Sequence, residues 1–201
     1  MNNTLILASS STTRIQLLKN AGVNFIAKKS GLNERALEKV LFNKIPKEIC
    51  LILAEEKAKK LNEQLNKNKK ESFIIGCDQV LECEGNLLHK VQSIEEAKNK
   101  LLYLRGKTHA LHSAVILLKD NEIVWQYIDT ALLTMRFFSD NYINNYLENI
   151  APENLQTVGC YQLEGAGINL FAKIEGDFFT ILGLPLLPLL QKLRENELLE
   201  S

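Results

Sequence analysis

Residues 5–18 read LILASSSTTRIQLL, and the fold turns on how this stretch divides. Leu5, Ile6, Leu7 and Ala8 form an apolar run of the kind buried in a sheet, and it stops abruptly at Ser9. Hydroxyl residues fill positions 9–13, followed by Arg14 and a helical pattern over Ile15–Ala21 that Gly22 closes. A strand turning through hydroxyls into a helix predicts an α/β unit, with Gly22 at the helix C-terminal position that favours glycine. The turn has two uses. A helix N-terminus leaves backbone N–H groups without partners, so hydroxyls and an arginine there suit a phosphate. They suit a helix cap and a surface arginine equally well. The glycines of a P-loop or a dinucleotide fingerprint are absent.

Working outward, VNFIAKK (23–29) is a second extended stretch, and Asn33 to about Asn68 is charged and helical with a break at Pro46. Pro46 suits the first position of a new helix, where its missing N–H is not needed. NEQLNKNKKES (62–72) ends that region as a solvated stretch. SFIIGCDQVLEC (72–83) reads as a strand carrying an acidic residue, with EGN (84–86) as a turn. Ser93 and Glu96 form a capping box for a helix to Leu104. THALHSAVILL (108–118) and EIVWQYIDTALLTM (122–135) read as long strands joined by KDN (119–121), and Ser139 caps a helix to about Glu148. In the tail, glycines punctuate short strands before a closing helix around Pro185–Arg194. There is no internal repeat. The expectation is one α/β domain over residues 1–201, with a mixed elongated sheet, flanking helices and a cleft.

Composition narrows the function classes. With 46% hydrophobic residues over 201 positions the chain has enough apolar surface for a sizeable core. Twenty-four basic residues balance twenty-four acidic ones, which argues against broad nucleic-acid binding while leaving room for a small anionic ligand. No apolar run reaches the roughly eighteen residues of a membrane helix, and prolines break ILGLPLLPLL (181–190). Cys50, Cys77, Cys83 and Cys160 match neither a zinc cage nor a disulfide framework, so reduced thiols in a cytoplasmic protein are expected.

Among single residues, Asp78 follows the apolar FIIGC, where a carboxylate can hold a metal, activate water or simply close a turn. Glu34, Glu55, Glu56, Lys57 and Lys90 read by default as solvated surface charges. His109 and His112 fall on opposite faces of a strand, so they do not form a metal pair. Glu164 lies among the glycines of the tail, either facing a ligand or sitting idle in a bend.

Taken in order, these pieces resemble the Maf family of septum-formation proteins and nucleoside triphosphate pyrophosphatases. ILASSSTTRIQLLKNAGV (6–23) is similar to its opening element through Ser9, Ser11 and Arg14, and LNERAL (32–37) to its acidic segment through Glu34. LAEEKA (53–58) supplies Lys57, IIGCDQVLECEGNLLHK (74–90) supplies Asp78 and Lys90, and residues 159–186 match the closing block. Thr13 stands where the family usually has its first arginine, Thr12 where proline is common, and Val91 where proline follows the lysine. Gln79 and Glu164, in place of threonine and glutamine, look like the branch acting on 7-methyl-GTP.

The resemblance implies hydrolysis between the α and β phosphates, giving nucleoside monophosphate and pyrophosphate. Ser9 and Ser11 would cradle the triphosphate while Arg14, Lys57 and Lys90 neutralise it. Asp78 would activate water. Magnesium or manganese would be held by Glu34 or Asp78, with Gln79 and Glu164 meeting the base. It also implies a homodimer. The alternatives are a nucleotide-binding regulator of cell division, without significant catalysis, and a pyrophosphatase for deaminated purines.

Overall fold

The structure is a computed structural model and describes residues 4–65, 72–150, 155 and 157–200. The opening stretch forms strand β1 (Thr4–Leu7) and helix α1 (Thr12–Asn20). The helix starts three residues earlier than the apolar pattern suggests. Ser11 is extended at φ −66°, ψ 119°, and its Oγ accepts the Arg14 N–H at 3.4 Å, drawing Thr12 and Thr13 into the first turn. Gly22 follows with φ +73°.

Next come β2 (Ile26–Ala27), α2 (Glu34–Val40, capped by the Asn33 side chain) and α3 (Pro46–Leu65), which begins at the proline. The solvated reading of 66–71 lies outside the described residues. β3 (Ser72–Cys83) turns through Glu84 and Gly85, with φ of 54° and 79°, into β4 (Asn86–Leu88), a strand the sequence did not announce. Ser93 caps α4 (Ile94–Leu104), but the reciprocal arm of the box reaches one residue further out: Glu96 Oε2 accepts the Gln92 N–H at 2.7 Å. β5 (Thr108–Lys119) and β6 (Glu122–Met135) join through Asp120 and Asn121, again both with positive φ, and Ser139 caps α5 (Asp140–Glu148).

The glycine-rich tail departs from the expected short strands. It holds a 3-10 helix (Ala166–Leu170), one strand β7 (Phe171–Glu175), a four-residue helix α6 (Phe178–Ile181) and α7 (Leu186–Glu195). Local side-chain bonds explain the difference. Asn169 Nδ2 donates to Ala166 O at 3.2 Å, and Asp177 Oδ1 accepts the Thr180 N–H at 2.9 Å, each competing with a strand ladder.

The fold is α/β with a mixed sheet in the order β2-β1-β3-β5-β6-β7, and β4 on β3. β1 is parallel to β2 and β3, whereas β4 and β7 pair antiparallel with β3 and β6. The chain divides into two compact units: Met1–Gln79, His112–Thr130 and Asp177–Ser201 form the first, Val80–Leu111 and Ala131–Gly176 the second. In the first, alternate strand residues feed two cores. Leu5, Leu7, Phe73, Ile75, Val115 and Leu117 pack with residues of α1 and α7, while Ile6, Ala8, Ile74 and Leu118 pack with Ala58 and Leu61 of α3. A sheet covered on both faces needs continuous apolar runs, which accounts for the LILA of residues 5–8. In the second unit α4 packs on α5.

Candidate active site

Helix α3 presents Cys50, Leu53, Ala54, Ala58 and Leu61 to the interior at helical spacing, and Lys57 occupies the same stripe. Lys57 is buried, 7% exposed, contrary to its default reading as a surface charge. Gly76 lets the helix come this near. A Cβ there would lie 2.1 Å from the Ala54 carbonyl oxygen and 2.8 Å from Ala58 Cβ. Two residues along β3 on the same face, Asp78 is 5% exposed and takes the Lys57 ammonium on Oδ1. Glu34, at the first turn of α2, reaches the same ammonium at 3.0 Å through Oε1.

The charges in this cluster shape one another. Burial, the largest effect, raises the Asp78 pKa above the ordinary carboxylate range against the pull of Lys57 and Arg14, and Glu34 adds to the rise. For Lys57, burial disfavours the cation, but Asp78 and Glu34 outweigh it and raise its pKa, so the ammonium stays charged. Glu38, one helical turn beyond Glu34, is a residue the sequence reading passed over. Burial first, then the nearby Asp78 and Glu34 charges, raise its pKa too. Its spacing of four from Glu34 was the available signal.

Arg14 is also buried, and much of its guanidinium is spoken for. Nε donates to Gly183 O at 2.7 Å and Nη1 to Cys77 O at 3.3 Å. In the hydroxyl turn, Ser9 Oγ accepts the Ser11 N–H at 3.2 Å while Ser11 caps the helix. Gln79 points its Nε2 at Thr180 O (3.1 Å), Ile181 O (3.0 Å) and Ser113 Oγ (3.1 Å). The structure thus gathers Arg14, Glu34, Lys57, Asp78 and Gln79 in the first unit, along with Ser9 and Ser11. Lys90 and Glu164 belong to the second unit, where both are exposed. His109 and His112 take separate partners, Tyr161 and Thr130.

Comparison with known proteins gives this geometry its context. The family described as Maf-like protein matches residues 4–196. The chain is 50% identical over 198 residues to the 7-methyl-GTP pyrophosphatase of Bartonella henselae, covering 98% of each. It is 44% identical over 197 residues to the enzyme of that name from Rhizobium meliloti, covering 97% of each. It is 45% identical over 190 residues to the nucleoside triphosphate pyrophosphatase of Caulobacter vibrioides, covering 94% of this chain and 93% of that one. With the match running through every element from β1 to α7, this chain belongs to the Maf family.

Proposed function

We propose that this chain is a nucleoside triphosphate pyrophosphatase, releasing nucleoside monophosphate and pyrophosphate, with 7-methyl-GTP as a substrate. The observation that carries the reading is the buried Lys57, held between Asp78 and Glu34 with the charge of Arg14 on α1 acting on both Lys57 and Asp78. A permanently charged ammonium there orients the Asp78 carboxylate. The raised pKa of Asp78 makes it a stronger base than an exposed aspartate, suited to taking a proton from the attacking water. Such a base is worth roughly 10²- to 10⁴-fold in rate. Ser9, Ser11 and the free N–H groups at the start of α1 receive the phosphates, with Arg14 adding positive charge. Gln79 Nε2 is committed to its own fold, so Oε1 is the atom left to meet a base. Lys90 as a phosphate contact, Glu164 as a base contact and a homodimer are supported by the family resemblance alone.

The donor set fits a hard divalent cation such as magnesium or manganese. Lys57 engages one oxygen of Asp78 and one of Glu34, so each carboxylate has a second oxygen to offer. Among the described residues no group of three or more His, Cys, Asp or Glu side chains that could hold a metal ion occurs, so phosphate and water oxygens would have to supply the other ligands. Glu34 and Asp78 would hold it, and when bound it neutralises phosphate charge. Among the described residues no helix is long and apolar enough to cross a membrane.

The test is pyrophosphate release from a panel of triphosphates including 7-methyl-GTP, with magnesium or manganese. Release that Asp78→Asn abolishes is expected, with the acid limb of kcat/KM lying above the ordinary carboxylate range. No release from any triphosphate overturns the reading. Nucleotide binding without turnover would leave a regulator in its place.

A further inference from the structure

The residues on either side of Asp78 are both tied to one short segment. Arg14 links the Cys77 carbonyl to the Gly183 carbonyl, at 3.3 and 2.7 Å. Gln79 Nε2 donates to the carbonyls of Thr180 and Ile181 and to Ser113 Oγ, and Ser113 Oγ donates in turn to Thr180 O at 2.8 Å. At Gly183, with φ +93°, the two anchors converge: a Cβ there would lie 3.3 Å from Arg14 Nη2 and 3.4 Å from Gln79 Oε1. Residues 180–183 therefore hold the backbone that presents the base.

That segment needs an anchor of its own, because α6 is only four residues long. Thr180 is fully buried, and its Oγ1 lies 2.8 Å from Asp129 Oδ2 on β6 and 3.4 Å from Asp177 Oδ1. A hydroxyl has one proton to give, and the shorter contact takes it. We propose that the Asp129–Thr180 hydrogen bond is a positioning contact for catalysis. It fixes α6 so that the carbonyls of residues 180, 181 and 183 hold Cys77 and Gln79, and through them aim the Asp78 carboxylate. Asp129 and Thr180 are positioning residues with no contact to substrate in this scheme, which rests on the pyrophosphatase reading above.

The experiment is steady-state pyrophosphate release from 7-methyl-GTP with magnesium, comparing wild type, Thr180→Val, Thr180→Ser and Asp129→Ala, with Asp78→Asn as control. Valine keeps the shape and removes the proton; serine keeps the proton. Thr180→Val is expected to lower kcat about tenfold with KM within about twofold, the scale of a sub-ångström misplacement. Asp129→Ala should do the same, and Thr180→Ser should restore kcat to within about twofold of wild type. Unchanged kcat in Thr180→Val, or a raised KM with kcat intact, overturns the proposal. If Thr180→Val does not fold, Asp129→Ala at its half-buried site carries the same comparison. If wild type releases no pyrophosphate, the activity reading fails separately. Amide hydrogen exchange at residues 77–79 then decides: faster in Thr180→Val but not in Thr180→Ser supports positioning, and no difference overturns it.

Discussion

The two compact units treat buried polarity in opposite ways. Of the buried polar or charged side chains among the described residues, tyrosines aside, all but one lie in the first unit, three of them the charged Arg14, Lys57 and Asp78. The second contributes His109 alone. Its ring sits near Tyr161 and Phe171, Nε2 is 2.6 Å from the Tyr161 hydroxyl, and Nδ1 has no hydrogen-bond partner among the described residues. Burial pushes its pKa down to about 4, so the imidazole stays neutral. One unit keeps charge inside by pairing it; the other keeps it out by refusing a proton. Charge retained at such expense points to chemistry, and charge excluded points to packing.

Substitutions can break this contrast, and the largest effects belong to the first unit. Asp78→Asn should lower kcat by about 10²- to 10⁴-fold, measured as pyrophosphate release, with the fold retained. Lys57→Met strands a buried carboxylate and should destabilise by about 3–5 kcal/mol in denaturant titrations. The double variant Lys57→Met/Asp78→Asn should recover most of that stability and none of the activity. Recovery of activity would mean that the pair serves folding alone.

In the second unit the expected effect is a pH dependence. Unfolded histidine takes up its proton near pH 6.5, whereas folded His109 does so near 4, so stability is lost as pH falls through that window. At about 1.4 kcal/mol per pH unit the loss approaches about 3 kcal/mol, and His109→Gln should flatten the profile between those values. Gly76→Ala should cost about 1–3 kcal/mol, because the clash is with the main chain of α3, and should reduce turnover by moving Lys57. The smallest effect is Asn33→Ala, which removes the cap of α2 and should cost about 1 kcal/mol with a modest drop in magnesium-supported rate.

What the sequence made legible was local. The strand-to-helix entry, the α3 start at Pro46, the Ser93 and Ser139 caps and the KDN turn each rest on residues a few positions apart, and each formed. Lys57 read as a surface charge, although a lysine inside the stripe of Cys50, Leu53, Ala54, Ala58 and Leu61 is marked for burial by spacing. The partners of Arg14 were not legible. A guanidinium reaching a carbonyl 169 residues away leaves no trace in its neighbourhood, so neither the Gly183 nor the Cys77 carbonyl could be named from spacing. The tail misled for a related reason, because its glycines mark bends without saying whether a strand, a 3-10 turn or a short helix lies between them. The roles of Asp129, Ser113 and Thr180 depend on β5, β6 and α6 meeting, and no spacing in the chain encodes that.

At Gly76 the gap between strand and helix is set by the Ala54 carbonyl and the Ala58 methyl, neither of which has a rotamer to change. Longer side chains can change rotamer when a core is warmed, compressed or altered by a neighbouring substitution, whereas these two groups have no such freedom. The base of the Lys57–Asp78 bridge is therefore a gauge block rather than a spring. Repacking of the surrounding leucines and isoleucines will shift the stability of the first unit well before it shifts the separation of ammonium and carboxylate.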